Sequence, residues 1–566
     1  MSKRSHFVFF LVVLSLLLTG CKSAKEEKIE AVSGTKSNRY EDLMSLFKEW
    51  REFQKPKVTD EVPDYTAAAM KEQRSALENY RGRLTAIDSS GWPIPQQVDY
   101  HIVRAEMNGL DFDHRVLRPW SRNPCFYSVI EQSPTDMPVR EGPIMEGMLC
   151  LWKVKYKFPL AEKEKTEFRM KLQAIPKILE QAKGNLVEEA KDLWFLGIRK
   201  KKEESSILTN LAKRLAEQHP DLVSDAEMAK AAVDDFRAWL ETKQSRMTAT
   251  SGIGIENYNW YMKNVHLVPY TWQDQLVIIQ GELDRAVASL KLEEHRNRTL
   301  PELQSVASEE EFRRRSNEAL NYYIEFLRKE EIRTVPDYMY DALKRPTVIG
   351  DRILGEGRFV PPGGLRDFFT LVSYCDPLTM QCHGGIHWPD FARMVNEPHP
   401  SLIRRGPLLY DIWDSRCEGL ATANEEMMMH LGLFDKRSPR VRELIYMLLA
   451  NRGARAMGDL KMHSNEFTLD DAVNYACEWT PYGWLSREGN TVWFDESLYL
   501  NQPFYGASYV VGKVYIEKLL SDCARQQGKK FNLKAWWDEF HGAGLIPVSL
   551  IRWQMTGLDD EIKKLW

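Results

Sequence analysis

SEEEFRRRSNEALNYYIEFLRK, residues 308–329, is written in the period of an α-helix. Ser308, with Glu311 three residues on, makes a capping box that satisfies the first free backbone N–H groups of such a helix. Behind it Phe312, Ala319, Leu320, Tyr323, Ile324 and Leu327 fall on one face, and arginines and glutamates fall opposite. The same period recurs outward from this stretch. Ser438-Pro439 is an N-cap followed by proline at the first helical position, and it opens a helix through Leu444, Ile445, Leu448 and Leu449. Thr468 with Asp471 starts another. Alternating strand patterns are rare and short, extended candidates such as Thr347 to Ile353 are few, and no internal repeat is present. The fold class is therefore mainly α, a large helical array with few short strands.

The ends add a location. Lys3 and Arg4 precede an apolar run from Phe7 to Leu18, closed by Leu18-Thr19-Gly20-Cys21. A run this short cannot cross roughly 30 Å of hydrocarbon as a helix, so residues 1–20 read as a cleaved export signal; for its ending, an ordinary signal peptide and a buried helix compete with a lipidation signal. The Leu-Thr-Gly-Cys ending resembles the bacterial lipobox. That resemblance implies that Cys21 becomes a lipidated first residue, with the lipid bilayer as partner and no spanning segment. Lys22 in place of an aspartate implies, by likeness to lipoprotein sorting rules, the outer membrane of a cell that has one. Residues 21–39 are charged and small, a flexible tether. The rest divides into an N-terminal helical region, 40–337, and a C-terminal helical region, 338–566, where glycine and proline cluster at Pro361–Gly364 and from Cys375 to Pro400.

Of 566 residues 43% are apolar, ample for a large core. A net charge of −4 excludes a nucleic-acid footprint. The basic run Arg199 to Lys202, followed by Glu203 and Glu204, reads as a solvated helix face. Seven cysteines besides Cys21, irregularly spaced, do not form a disulfide framework, and an odd count leaves a thiol over.

The candidate chemistry lies at His383-Gly384-Gly385-Ile386-His387. On a helix the two histidines project from one face a turn apart, a spacing that lets two imidazoles share one Zn²⁺. With twelve histidines in the chain such a pair is not far from chance. Two adjacent glycines and nearby Pro389 weaken a regular helix, so a turn with two hydrogen-bonded histidines is the alternative. Glu418, 31 residues on, offers a third ligand from a later helix, and Glu425, seven further, shares its face. Arg452, Arg455, Asp459 and His463 follow at spacings of three, four and four. This stripe reads in two ways: as support for the site, with Asp459 fixing the His463 tautomer and the arginines binding carboxylates, or as an ion-pair ladder on a half-exposed face.

Several ordered motifs resemble the bacterial domain-of-unknown-function family 885, a group rich in predicted lipoproteins. Glu418, Gly419, Ala421 and Glu425 match its Glu-Gly-Trp-Ala-Leu-Tyr-x-Glu segment, and Gly432, Leu433, Phe434 and Asp435 its Gly-Leu-Tyr-Asp continuation. Arg452, Arg455, Asp459 and His463 match Arg-x-x-Arg-x-x-x-Asp-x-x-x-His, with Thr468, Ala472 and Tyr475 in register. Pro503, Ala507, Ser508, Tyr509 and Gly512 match a later segment, and Arg118-Pro119-Trp120-Ser121-Arg122-Asn123-Pro124 with Tyr127 is similar near the N-terminus. The resemblance implies a helical array like the carboxypeptidase Taq-type metallopeptidases, and zinc as cofactor. Family members show His-Glu-x-x-Pro-Gly-His-His where this chain has His383-Gly384-Gly385-Ile386-His387-Trp388-Pro389-Asp390. The general base is thus replaced by Gly384, and His387 or Asp390 is left to complete the ligands. Leu498 stands where an arginine is expected before Tyr499.

Two functions compete. In one, a zinc-dependent peptidase or amidase uses His383, His387 and Glu418 as ligands, Tyr509 as oxyanion donor by its place in the motif, and Glu425 or Asp390 as base. In the other, the same cleft binds peptides or cell-wall fragments without catalysis, which Gly384 favours. Thiol chemistry at Cys382 or Cys417 is the weakest reading, since sequence neighbours point apart on a helix.

Overall fold

The computed structural model describes residues 36–131, 145–151, 156, 158–344, 359–361, 364 and 366–565. The export signal, Cys21, most of the tether, Thr347 to Ile353, and Pro362 with Gly363 lie outside them. Helices dominate: among the described residues the only strands are two-residue pairs, Val58–Thr59 antiparallel to Val62–Pro63 and Ile130–Glu131 parallel to Leu149–Cys150. The stretch 308–329 forms the helix Glu309–Lys329, with Ser308 Oγ accepting the Glu311 N–H and Ala319, Leu320, Tyr323, Ile324 and Leu327 buried. Thr468 and Asp471 close their capping box around the helix Leu469–Trp479. One apolar core runs from Leu43 to Leu565 and crosses the boundary at 337/338. Among the described residues no helix is long and apolar enough to cross a membrane.

Four helices of the C-terminal region carry the candidate site: a histidine helix, Pro377–Asn396; a glutamate helix, Asp414–His430; an arginine helix, Val441–His463; and a tyrosine helix, Tyr505–Gln527. The arginine helix is buried on every face except at Arg442 and Lys461, so its charged stripe is interior and is no half-exposed ladder. The glutamate and tyrosine helices pack along each other through Gly419 and Gly512. A Cβ on Gly419 would lie 2.5 Å from Gly512 backbone atoms, and one on Gly512 would lie 2.3 Å from the Ser415 carbonyl oxygen. Only glycine permits this approach. Gly512→Ala is therefore expected to force the helices apart at an overpacking cost of about 1–3 kcal/mol. Urea denaturation should show stability falling by that amount, and an unchanged midpoint would mean that the helices slide freely.

Candidate metal centre

The histidine helix forms despite its glycines and proline, and its long-range partners explain why. Asp376 caps it by accepting the Leu378 N–H, and Pro377 fills the first position, where no donor is needed. Pro389 has no N–H for the Gly385 carbonyl one turn earlier. Arg333 Nη2 donates to that carbonyl instead, at 2.7 Å. A Cβ on Gly385 would lie 2.7 Å from the Tyr323 hydroxyl oxygen, so glycine admits Tyr323 against the helix. Asn424 of the glutamate helix donates to Tyr323 Oη at 3.2 Å and to the Cys382 carbonyl at 2.7 Å. The stretch is thus a helix held from outside, and the alternative of a Gly-Gly turn falls away.

His383 and His387 consequently face the same way. Their Nε2 atoms lie 3.1 Å apart, and Glu418 Oε2 lies 3.5 Å from the first and 3.4 Å from the second. These buried groups can hold a metal ion. Two imidazole nitrogens so close need a proton or a cation between them, and Glu418 Oε2, fully buried, has no hydrogen-bond donor. A cation answers both demands. Burial works against the charge on Glu418, but the His387 and His383 imidazoles outweigh it and hold the carboxyl well below its usual range.

A built shell surrounds the three. Tyr505 and Tyr509, one turn apart on the tyrosine helix, donate to Glu418 Oε1 at 2.5 and 2.9 Å, which leaves Oε2 turned to the histidines. Tyr509 also lies nearly parallel to the His383 ring, at 6.3 Å. Behind His383, Glu425 Oε1 lies 3.2 Å from Nδ1, and Arg452 grips Glu425 with two hydrogen bonds of 2.6 and 2.7 Å. Arg452 Nη2 also reaches His383 Nδ1 at 3.1 Å. Glu425 and Arg452 together fix the plane of the ring from behind, with Nε2 turned towards His387 and Glu418.

Both oxygens of Glu425, one of the two carboxylates expected as base, are engaged by Arg452. Asp390 is no better placed: Arg416 binds it at 2.6 and 3.2 Å and His541 approaches to 3.2 Å. Although buried, it is held far below its usual range by Arg416 and His541. Arg455 turns to Asp495 at 2.5 Å and lies against the rings of Phe369, Tyr499 and Tyr509. Asp459 accepts the amides of Phe504 and Ala507 at 3.3 and 2.8 Å, so it anchors the start of the tyrosine helix. It does not set the His463 tautomer, since His463 Nε2 donates to the Tyr499 carbonyl at 3.0 Å. Burial raises Asp459 to about 7 against the pull of those amides. Cys382 and Cys417 are buried and their thiols pushed well above their usual range, unfavourable for a nucleophile. Tyr505, Tyr323, Asn424 and Arg333 were not anticipated; for Tyr505 the available signal was its spacing of four from Tyr509.

The sequence model described as "Bacterial protein of unknown function (DUF885)" matches residues 392–555. The match takes in Glu418, Glu425, the arginine helix and Tyr509, and begins beyond the two histidines. No curated protein matches the chain. Two solved structures share the fold. One, a "putative lipoprotein of unknown function" from Shewanella oneidensis, has a TM-score of 0.67 at 15% identity and covers 91% of this chain and 99% of its own. The other, a "putative lipoprotein" from Colwellia psychrerythraea, has a TM-score of 0.65 at 15% identity and covers 92% and 97%. The family that the sequence motifs resemble is thus the one whose signature the C-terminal region carries: the bacterial proteins of unknown function, DUF885.

Proposed function

We propose that this chain is an exported lipoprotein that holds zinc at His383, His387 and Glu418 and binds a peptide or a cell-wall-derived amide there without cleaving it efficiently. The donor triangle carries the metal reading. Ligands at about 2.0–2.2 Å around a tetrahedral zinc stand roughly 3.3–3.6 Å apart, and the three edges here are 3.1, 3.4 and 3.5 Å. Zinc at this position supplies a Lewis acid for a carbonyl. The chain's own residues hold the ligands in place: Tyr505 and Tyr509 fix Glu418, and Glu425 with Arg452 orients His383. Tyr509 is half-buried, and its hydroxyl is committed to Glu418 Oε1.

Gly384 and the engagement of Glu425 and Asp390 favour binding over hydrolysis. Loss of a general base removes about 10²–10⁴-fold of rate. The Leu18-Thr19-Gly20-Cys21 ending supports a lipid anchor at Cys21, as does the description of both structural relatives as lipoproteins. Lys22 favours the outer membrane in a cell that has one. The test incubates zinc-loaded protein with a mixed peptide library and with muropeptides, and follows bound and free fractions by mass spectrometry. Retention of intact ligands that chelation releases is expected. Accumulating cleavage products would favour the peptidase or amidase, and no zinc-dependent retention would overturn the reading.

A further inference from the structure

A second polar cleft, of about 950 Å³, lies in the N-terminal region and is lined by Arg74, Arg115, Arg118, Arg122, Glu188 and Glu189. It is built on the segment Arg118–Pro124. The helix Ile94–Phe112 continues into a π-turn, Asp113–Leu117, and Arg118 closes that turn in the left-handed region at φ 41°. π-turns and left-handed non-glycine residues are uncommon and concentrate where side chains must be aimed.

The arginines divide by role. Arg122 donates to the carbonyls of Thr250, Ser251 and Gly252 at 3.0, 2.9 and 3.3 Å, so it fastens the opposite wall. That wall is tied to the end of the arginine helix, where the Gly254 N–H donates to the His463 carbonyl. His463 follows Arg452 by eleven residues of helix, a rise of roughly 16 Å, so the cleft is distinct from the metal centre. Arg118 is steadied by Glu188 at 2.6 Å, and Arg115 by Asp111 at 2.7 Å while it lies over the Trp260 ring at 4.4 Å. Arg74 is exposed at the edge. Glu188 also accepts from Ser121 Oγ at 2.6 Å, and Glu189 faces Thr248 at 3.2 Å. Burial and Arg74 lower His114 to about 4, so it adds no charge near neutral pH. Four guanidinium groups stand against Glu188, Glu189 and the Asp111 carboxylate behind Arg115, which leaves an excess of one positive charge around the cleft.

We propose that this cleft binds a phosphoryl group, free or carried on a small polar molecule, through Arg74, Arg115 and Arg118. A phosphate monoester offers three acceptor oxygens, one for each of Arg74, Arg115 and Arg118, whereas a carboxylate offers two. Guanidinium groups also suit the geometry of phosphate oxygens.

The test is isothermal titration of inorganic phosphate, and of acetate at equal ionic strength, into the full-length protein after chelator treatment, so that the metal centre takes up no anion. Phosphate should bind at least about tenfold more tightly than acetate. Arg74→Gln and Arg118→Gln should each weaken phosphate by about tenfold or more, and Arg199→Gln, outside the cleft, should not. Arg74 is exposed, so its variant decides the matter if Arg118→Gln fails to fold. Equal phosphate affinity in wild type and Arg74→Gln, equal affinity for acetate, or no binding at millimolar phosphate overturns the proposal.

Discussion

Glu418→Ala is expected to purify without metal, under conditions in which the wild type carries one equivalent of zinc. The variant removes a whole ligand and leaves two imidazoles to hold the ion. It also strips Tyr505 and Tyr509 of their shared acceptor, so the mouth of the site loosens. His383→Ala should behave alike. Glu425→Gln tests the support behind His383: the ligands remain, but the carboxylate that orients the imidazole and neutralises Arg452 is lost. Partners of this kind typically contribute 10–100-fold in metal affinity, so zinc should remain at stoichiometric loading and leave faster to a competing chelator. Elemental analysis and a chromophoric competitor separate the two classes. A metal that binds only the folded state also adds about 4 kcal/mol of stability at a thousandfold excess over its dissociation constant, and so raises the melting temperature. Chelation should therefore lower the melting temperature of the wild type and leave Glu418→Ala unmoved. Zinc retained by both ligand variants would show that the three residues are a buried hydrogen-bonded cluster and no metal site.

The helical class was legible because Ser308 to Lys329 satisfies cap, period and polarity together, and each of those signals is local. The donor triangle was only half legible. The spacing of His383 and His387 puts two imidazoles on one face of any helix, but Gly384, Gly385 and Pro389 argue against the helix within every local window. The groups that make the helix possible, Arg333 and Tyr323, stand more than 50 residues upstream. Local propensity is a weak prior when a guanidinium replaces a missing backbone donor and a tyrosine fills the space left by a glycine. The charged stripe of the arginine helix shows the opposite limit. Charges ordinarily face water, which kept a surface ladder among the two readings of the stripe, yet Arg452 and Arg455 are buried because Glu425 and Asp495 are buried with them. Sequence order contained both members of each pair and no sign of their direction. For Glu425 this mattered most, since a carboxylate on the same helix face as a ligand can serve equally as base or as support, and the Arg452 grip on both its oxygens favours support.

Gly384→Glu is expected to make the zinc-loaded protein hydrolyse amide bonds. Glycine costs a helix interior about 1 kcal/mol relative to a good helix former, so the substitution should stabilise the histidine helix. The position has room: a Cβ at Gly384 meets only the Trp388 ring, at 3.5 and 3.8 Å, in ordinary contact. Gly385 would not accept the change, because a Cβ there strikes Tyr323. A carboxylate directly after His383 is borne by the same helical turn as the ligand. Arg452 and Arg416 are already engaged by Glu425 and Asp390, so neither is free to tie up the new carboxylate. Restoring a general base to an otherwise complete site returns about 10²–10⁴-fold of rate, a gain large enough to read as new cleavage products from a peptide library in hours. Gly384→Ala is the control, since it shares the helical stabilisation and lacks the base; it should bind zinc and ligand and cleave no faster than the wild type. If zinc-loaded Gly384→Glu binds the same ligands and still cleaves nothing, the missing base is not what silences this centre. The geometry around Glu418, where Tyr505 and Tyr509 both turn their hydroxyls to the carboxylate, then becomes the feature that separates this chain from a peptidase.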